Sequence, residues 1–124
     1  MRRFLCSLKF AAGGIALGVC RERNMRIHLI ATAAVVLLAI WLDVRPVEWA
    51  VLLALCGLVI GLELVNTAVE RVVDLVSPER HPLAKEAKDA AAGGVLAAAI
   101  FAALAGLIVL GPPLWHKLQE LFGL

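Results

Sequence analysis

The sequence is poor in the features that mark several common classes of protein. It has three cysteines, and their odd number and wide spacing argue against a disulfide framework or a zinc site. Its formal net charge is only +2, and no basic stripe interleaved with aromatic residues is present, so a nucleic-acid-binding protein is not indicated. Neither a GxxxxGK loop nor a GxGxxG turn occurs, which excludes the two most familiar nucleotide-binding loops.

Apolar side chains are what the chain has in abundance. Hydrophobic residues make up 62% of it, and the mean hydropathy is +0.92. Such a composition predicts an all-α integral-membrane protein, and the length fits a single domain over residues 1–124. The basic and then apolar N-terminus is similar to a signal peptide, but Lys9, Gly13 and Gly14 interrupt it and no small-residue cleavage site follows. We therefore expect a retained amphipathic helix over residues 3–20 that lies on the membrane surface.

Three further segments are predicted to be transmembrane helices, over residues 25–42, 47–76 and 82–110. Trp41 is placed as an interfacial anchor, and Pro46 suits the first turn of the second of these helices. The prolines of "SPERHP" separate the last two. The tail "HKLQELFGL" predicts only a weak amphipathic turn or two. Small residues of the last segment predict close helix packing: Gly93, Gly94, Ala98, Ala102 and Gly106.

Basic residues are unevenly distributed along the chain. Six of the twelve lysines and arginines lie before residue 27, and four more lie between Arg71 and Lys88. The "DVRPVE" turn and the tail have one each. Because cytoplasmic loops carry the excess of basic residues, the N-terminus and the "SPERHP" loop are predicted to be cytoplasmic. Three spans then place the C-terminus outside.

The stretch "ELVNTAVERVVD" places four polar residues on one helix face. With Glu63 at zero on a helical wheel of 100° per residue, Asn66 falls at about −60° and Glu70 at about −20°. Asp74 falls at about +20°, and Thr67 borders the same face. Scattered surface charges do not align in this way, so the face is a candidate functional site.

Glu63 is the most informative residue on this face. Glu70, Arg71 and Asp74 can equally be the solvated end of a helix that projects into the cytoplasm. Glu63 lies between apolar stretches, and an ionisable group within a span indicates a functional site. Two carboxylates two turns apart, about 10 Å along the axis, suit two separate roles. One can abstract a proton while the other holds a metal ion.

Two other clusters of charge have both a functional and a structural interpretation. In "ERHPLAKEAKDAA", His81, Lys88 and Asp89 share a face with Lys85, which suits a phosphate and Mg²⁺ site but also a set of solvated loop charges. His81 by itself is weak evidence for a site, because a structural histidine is commoner than a ligand. In "RERNMRIH", Glu22 lies among arginines that suit membrane anchoring. A neighbouring metal ion or a salt bridge would explain it.

Three motifs together carry a resemblance: "ERNMRIH", "ELVNTAVERVVDLV" and "HPLAKEAKDAAAGGVL". They closely resemble the small prokaryotic diacylglycerol kinase family of integral-membrane lipid kinases, over about residues 3–105. The resemblance implies a homotrimer of three-span subunits, each with an N-terminal surface helix. It also implies transfer of the ATP γ-phosphate to a lipid hydroxyl with Mg²⁺ at the cytoplasmic side of a bacterial cell (inner) membrane.

The same resemblance implies a role for individual residues. Glu63 is implied as the general base, and Asn66 as a group that orients the site. Glu22 and Glu70 are implied as ligands of Mg²⁺ and ATP. Lys88 and Asp89 resemble the family's nucleotide-contacting pair. Further positions implied near the nucleotide or lipid are Glu79, His81, Arg3 and Phe10.

The substrate expectation rests on two of the motifs. "ERNMRIH" and "HPLAKEAKD" are more similar to the branch that phosphorylates undecaprenol, so an undecaprenol kinase is predicted, with a diacylglycerol kinase as the alternative. A non-enzymatic scaffold or ion-conducting oligomer that uses Glu63 and Glu70 is a further alternative. Against it, the polar face covers only the cytoplasmic half of the third helical segment.

Overall fold

Four α-helices make up the computed structural model, which describes residues 1–123. They are α1 (Arg2–Arg21), α2 (Arg23–Trp41), α3 (Pro46–Val76) and α4 (Pro82–Phe122). By length and composition, each is able to cross a membrane. The expected all-α membrane architecture is therefore confirmed, and the predicted bounds of the first three helices differ from these by at most two residues. The first helix, expected on the membrane surface, also has the length and apolar composition of a span.

The helix ends follow from local chemistry. Glu22 adopts an extended conformation, with φ −98° and ψ 122°, and this single residue separates α1 from α2. Arg45 precedes α3, where its backbone N–H donates to the Glu48 carboxylate at 2.8 Å and Pro46 occupies the first turn, as predicted. His81 caps α4, because its Nδ1 accepts the Leu83 N–H at 3.2 Å.

The last helix is longer than the sequence predicts. α4 runs for 41 residues to Phe122, whereas residues 82–110 and a separate weak amphipathic tail were expected. Pro112 and Pro113 lie inside it. Each removes one backbone donor but has a φ compatible with a helix, and good helix formers follow in "LWHKLQEL". At 1.5 Å per residue, α4 is about 61 Å long, roughly twice the thickness of the hydrocarbon layer.

The helices pack most extensively where α3 lies against α4, and α2 lies against α3. A small apolar core forms at what we call the turn end of the bundle, where α2 is joined to α3; its buried residues are Ala39, Val44, Leu52 and Leu110. The opposite end, which we call the loop end, contains Glu22 and the α3–α4 loop over residues 77–81. The polar groups discussed below lie toward the loop end.

Only one of the ten glycines described permits a close helix crossing within this chain. A Cβ at Gly18 of α1 would lie 3.0 Å from Leu64 Cδ2 and 3.3 Å from Met25 Cε. A Cβ at Gly93, Gly94 or Gly106 would meet nothing within 4 Å. The predicted close packing at these α4 glycines is therefore not found between helices of one chain, because Gly93 and Gly94 are exposed and Gly106 lines an open groove.

Candidate functional site

The loop-end half of α3 buries polar side chains. Glu63 is 2% exposed, Asn66 is 6% exposed and Thr67 is 5% exposed. They are buried because this face of α3 packs against the neighbouring helices, whereas the opposite face of α3 is exposed. The Thr67 hydroxyl donates to the Glu63 backbone carbonyl at 3.0 Å, which satisfies that hydroxyl within its own helix. The face predicted from helical spacing is thus a buried one at Glu63 and Asn66.

Glu70 and Glu22 join the buried pair. Asn66 Nδ2 donates to Glu70 Oε1 at 3.1 Å, so the amide fixes the orientation of that carboxylate. Glu22, at the α1–α2 junction, and Glu70 both lie within electrostatic range of the Glu63 carboxyl group. We call Glu22, Glu63, Asn66 and Glu70 the acidic cluster.

An ion pair accounts for the position of Glu22 among arginines. Arg71 Nη2 donates to Glu22 Oε1 at 3.3 Å and joins α3 to the α1–α2 junction. Their side chains are 28% and 43% exposed, so this partly solvated pair contributes about 1 kcal/mol or less. Of the two sequence-based explanations for Glu22, the salt bridge is present. It leaves the second carboxylate oxygen of Glu22 free of this hydrogen bond.

A polar cavity of about 590 Å³ lies where the chain passes from α3 to α4. We call it the loop cavity. Four residues expected near the nucleotide line it: Glu79, His81, Lys88 and Asp89. Lys88 Nζ donates to Asp74 Oδ1 at 2.5 Å, and Lys85 Nζ donates to Asp89 Oδ2 at 2.6 Å. The cavity therefore contains lysine donors, each paired with a carboxylate here, and cationic donors of this kind can bind a nucleotide phosphate.

An apolar groove of about 500 Å³ lies between α2, α3 and α4. We call it the bundle groove. It extends from His28 near the acidic cluster to Leu110 and Leu114 toward the turn end. Its remaining walls are almost wholly aliphatic, with Leu38, Leu52 and Val59 among them. A hydrocarbon chain is the kind of ligand that such walls accommodate.

Two predicted site residues lie away from both the acidic cluster and the loop cavity. Arg3 and Phe10 are exposed on α1, well before the α1–α3 crossing at Gly18, and Phe10 is 77% exposed. Arg3 has a local contact, since its backbone carbonyl accepts the Ser7 hydroxyl at 3.1 Å. Within residues 1–123, no side-chain hydrogen bond or ion pair joins either residue to the acidic cluster.

Two residues near the site were not predicted. Arg71 was noted only as a charge at a helix end, and its spacing from Glu22 gave no signal of their pairing. His28 belongs to "ERNMRIH" but was assigned no role, although it lies in electrostatic range of Glu63. A polar side chain one turn into an otherwise apolar helix was the available signal for it.

The donor set of the acidic cluster fits a magnesium ion that also binds phosphate. Glu22 and Glu70 offer hard carboxylate oxygens, and Asn66 Oδ1 is buried without a hydrogen-bond partner among the described residues. In the described part of the chain, no three His, Cys, Asp or Glu side chains form a metal-binding group. Because Mg²⁺ is commonly held by one or two carboxylates together with substrate phosphates and water, such a set is sufficient only with a nucleotide present.

The fold defines an integral-membrane protein that has a buried carboxylate on α3 and, farther along the same helix, a loop cavity lined by lysines and carboxylates. The sequence model described as prokaryotic diacylglycerol kinase matches residues 9–110, and the chain belongs to that family. It is therefore a lipid kinase, which transfers a phosphoryl group from ATP to an alcohol.

Curated relatives include kinases with two different lipid substrates. The chain is 40% identical to the undecaprenol kinase of Bacillus subtilis, over 92% of this chain and 93% of that protein. It is 46% identical to a diacylglycerol kinase of Synechocystis over 89% of this chain, and the match spans 63% of that relative's length. It is 32% identical to the diacylglycerol kinase of Escherichia coli, over 87% of this chain and 88% of that protein.

Proposed function

We propose that the chain transfers the γ-phosphoryl group of ATP to the primary hydroxyl of undecaprenol, giving undecaprenyl phosphate. The observation that carries this proposal is the nearly complete burial of Glu63, which belongs to the acidic cluster and follows the groove residue Val59 by one turn of α3. A lipid chain in or beside the apolar bundle brings its hydroxyl to the depth of that carboxylate. ATP approaches the same carboxylate from the loop end.

Glu63 acts as the general base in this reaction. Its carboxylate takes the proton of the lipid hydroxyl as the hydroxyl oxygen forms its bond to the γ-phosphorus. The bond between that phosphorus and the bridging oxygen of ATP breaks, and ADP leaves with the electron pair. General bases at such positions typically contribute about 10²–10⁴-fold to the rate.

Glu22 and Glu70 are the residues that would hold Mg²⁺, and the chemistry that the ion would supply there is neutralisation of phosphate charge. Asn66 keeps the Glu70 carboxylate oriented through the 3.1 Å hydrogen bond. Arg71 restrains Glu22 in the same way from the other side of the cluster.

The loop cavity receives the nucleotide. Lys88 leaves its ion pair with Asp74 and contacts phosphate oxygens of the nucleotide. Asp89 lies beside it in the lining of the same cavity. Glu79 and His81 lie on the loop at the mouth of the same cavity. Arg3 and Phe10 approach nucleotide or lipid from α1, where neighbouring copies of the chain provide the surface that a single chain lacks.

The choice of lipid follows from the few polar groups along the bundle groove. Undecaprenol has a single hydroxyl on a hydrocarbon chain, whereas diacylglycerol also carries two ester groups that lose hydrogen bonds to water in an aliphatic groove. The B. subtilis relative, matched over 93% of its length, is an undecaprenol kinase. Diacylglycerol is the second candidate substrate, and it is favoured by the 46% identity to the Synechocystis enzyme.

The working enzyme is proposed to be a homotrimer in the bacterial inner membrane. In each copy α2, α3 and α4 span the bilayer and α1 lies along the cytoplasmic surface. Gly93 and Gly94, which are exposed on α4, and the many exposed aliphatic side chains of all four helices are covered by lipid and by neighbouring copies. The excess of basic residues before residue 27 and between Arg71 and Lys88 supports a cytoplasmic site.

Phosphate transfer from labelled ATP in mixed micelles tests this proposal directly. The purified chain is supplied with Mg²⁺ and with undecaprenol or diacylglycerol at equal mole fraction. We expect phosphorylation of undecaprenol to exceed that of diacylglycerol by tenfold or more. A tenfold preference for diacylglycerol would contradict the proposed substrate, and equal rates would show that the groove does not discriminate.

A further inference from the structure

Arg71 is the one basic residue within α3, and it lies between the two polar sites of that helix. Glu63 belongs to the acidic cluster, and Asp74, about 16.5 Å farther along the axis, lines the loop cavity. Arg71 lies about 12 Å beyond Glu63 and about 4.5 Å before Asp74. A nucleotide whose base occupies the loop cavity must therefore pass its phosphates by the level of Arg71 to reach the proposed general base.

The contact with Glu22 shows which way the Arg71 side chain points. Its Nη2 donates to Glu22 Oε1 at 3.3 Å, so the guanidinium is turned toward the acidic cluster. The Arg71 side chain is 43% exposed, which leaves it accessible to a ligand. Within residues 1–123, no other basic residue reaches the acidic cluster through a hydrogen bond or an ion pair. Arg71 is therefore the cation that the fold brings to this cluster.

The pairing with Glu22 uses only part of the hydrogen-bonding capacity of Arg71. A guanidinium has five N–H donors in a planar fork, and in the described part of the chain the Arg71 side chain makes one hydrogen bond. At 3.3 Å, this bond is longer than the usual charge-assisted bond of about 2.7–2.9 Å. The same fork matches a pair of phosphate oxygens. Restraint of Glu22 thus leaves donors of Arg71 available to a second anion.

We propose that Arg71 is a further catalytic residue, whose guanidinium binds the β-phosphate of ATP while it retains its contact with Glu22. This inference rests on the proposed lipid kinase reaction and adds a protein contact to its leaving group. Lys88, which pairs with Asp74 here, contacts the same nucleotide about one turn of α3 nearer the loop. The phosphates then extend from Lys88 past Arg71 toward Glu63.

The reaction places new negative charge where Arg71 would bind. As the lipid oxygen forms its bond to the γ-phosphorus, the bond from that phosphorus to the bridging oxygen breaks, and the electron pair remains on the β-phosphate of ADP. A guanidinium already in place stabilises this charge more strongly as it grows. The carboxyl groups of Glu22, Glu63 and Glu70 repel an incoming nucleotide, and a cation at this level offsets part of that repulsion.

Substitutions at Arg71, with a matched arginine elsewhere, test the proposal. Arg71→Gln removes the charge, and Arg71→Lys keeps the charge but loses the fork. Arg45→Gln is the control, because it breaks a comparable arginine–glutamate pair at the turn end. We expect Arg71→Gln to lower kcat at saturating ATP at least tenfold, with Arg71→Lys between it and the wild type. Arg45→Gln should match the wild type.

Nucleotide binding to the protein in micelles shows which phosphate is involved. Competition with a fluorescent ATP analogue measures the affinities for ADP and AMP. Arg71→Gln should weaken ADP binding at least tenfold, as expected for loss of a charge-assisted hydrogen bond, and AMP binding less than twofold. Equal losses for ADP and AMP would overturn the proposal, as would ADP binding within twofold of that of Arg45→Gln.

A double-mutant cycle separates contact with phosphate from a role that acts only through Glu22. If Arg71 only restrains Glu22, then Arg71→Gln has no further effect on ADP affinity in a Glu22→Gln background. If Arg71 binds the β-phosphate, a loss of at least fivefold persists in that background. Equal ADP affinities of Glu22→Gln and the double variant would overturn the proposal.

Chemical protection of the wild type keeps the test valid if Arg71→Gln does not fold. Phenylglyoxal modifies accessible arginines, and mass spectrometry follows the rates at Arg71 and Arg45. ADP should slow modification of Arg71 at least fivefold and leave Arg45 unchanged, whereas AMP should protect neither. An unchanged rate at Arg71 with saturating ADP would overturn the proposal. A wild type that binds ADP but phosphorylates no lipid alcohol would instead remove the proposed function on which the inference rests.

Discussion

At the scale of the residue, Glu63 and Glu70 have different surroundings although they lie on one helix face. Glu63 is almost fully buried, and the Asn66 amide binds Glu70 at 3.1 Å. A carboxylate that is buried beside apolar walls suits an exchange of one proton with a lipid hydroxyl. A carboxylate held by an amide at the cluster's margin suits an ion and a nucleotide. The physical setting thus supports two roles rather than one shared proton.

Glu63→Gln tests the role of general base. The amide has nearly the same volume but cannot accept the hydroxyl proton, so we expect lipid phosphorylation to fall about 10²–10⁴-fold. ATP binding and folding should be retained, because the groups proposed to bind ATP are unchanged. Rates are measured with labelled ATP in mixed micelles. Glu120→Gln, an exposed glutamate in the tail, is the matched control, and near-wild-type turnover by Glu63→Gln would rule out the assignment.

Glu70→Gln tests the role in metal binding. Loss of one carboxylate ligand should raise the Mg²⁺ concentration needed for half-maximal activity by about tenfold or more, consistent with a lost ligand. Saturating Mg²⁺ should restore part of the rate, which distinguishes this variant from Glu63→Gln. The measurement is a magnesium titration at fixed ATP. An unchanged magnesium requirement would show that Glu70 is not a ligand.

At the scale of the helix, the position of α1 depends on one small residue. A Cβ at Gly18 would lie 3.0 Å from Leu64 and 3.3 Å from Met25, so only glycine fits without displacing these side chains. This crossing joins the N-terminal helix to α3 one residue away from Glu63 in sequence. It therefore also determines where the α1–α2 junction, with Glu22, meets the acidic cluster.

Substituting the crossing glycine tests this packing. Gly18→Leu should destabilise the fold by about 1–3 kcal/mol through overpacking. Gly13→Leu is the matched control, since it makes the same change on α1 where nothing lies within 4 Å of a Cβ. Helix propensity rises by a similar amount in both, so their difference reports the contact. The stability difference between the two variants is measured by titrating the micelle-bound protein with a denaturing detergent. Equal stability of the two variants would argue against this crossing.

At the scale of the whole molecule, charge is concentrated at the loop end. Ten of the twelve basic residues lie before residue 27 or between Arg71 and Lys88. The same end has both the acidic cluster and the loop cavity. In the proposed orientation, the acidic cluster and the loop cavity face the side of the membrane where ATP is available, while the bundle groove lies within the bilayer.

Labelling of single cysteines tests that orientation. In a background with Cys6, Cys20 and Cys56 replaced by alanine, Ser77→Cys lies in the α3–α4 loop and Glu120→Cys lies in the tail. In intact cells, a membrane-impermeant maleimide should label Glu120→Cys. Ser77→Cys should react only after the membrane is permeabilised, because the loop is proposed to be cytoplasmic. The reverse pattern would show that the positive-inside rule fails here.

The sequence by itself determined the helices and the polar face of α3. Long apolar segments can satisfy their backbone only as helices in a bilayer, and the 3.6-residue period aligns Glu63 with Asn66 and Glu70 whatever lies around them. The three motifs also indicated the lipid kinase family that the comparisons show. The end of α4 was not predicted, because prolines weaken a helix without always ending it.

Only the tertiary structure decided which groups from different helices meet. The pairing of Glu22 with Arg71 and the loop cavity around Lys88 bring together residues of different helices. The spacing of residues along one helix shows which of them share a face, but it does not show which face of another helix packs against them. That choice comes from packing, in which a residue as small as Gly18 determines how closely two helices approach.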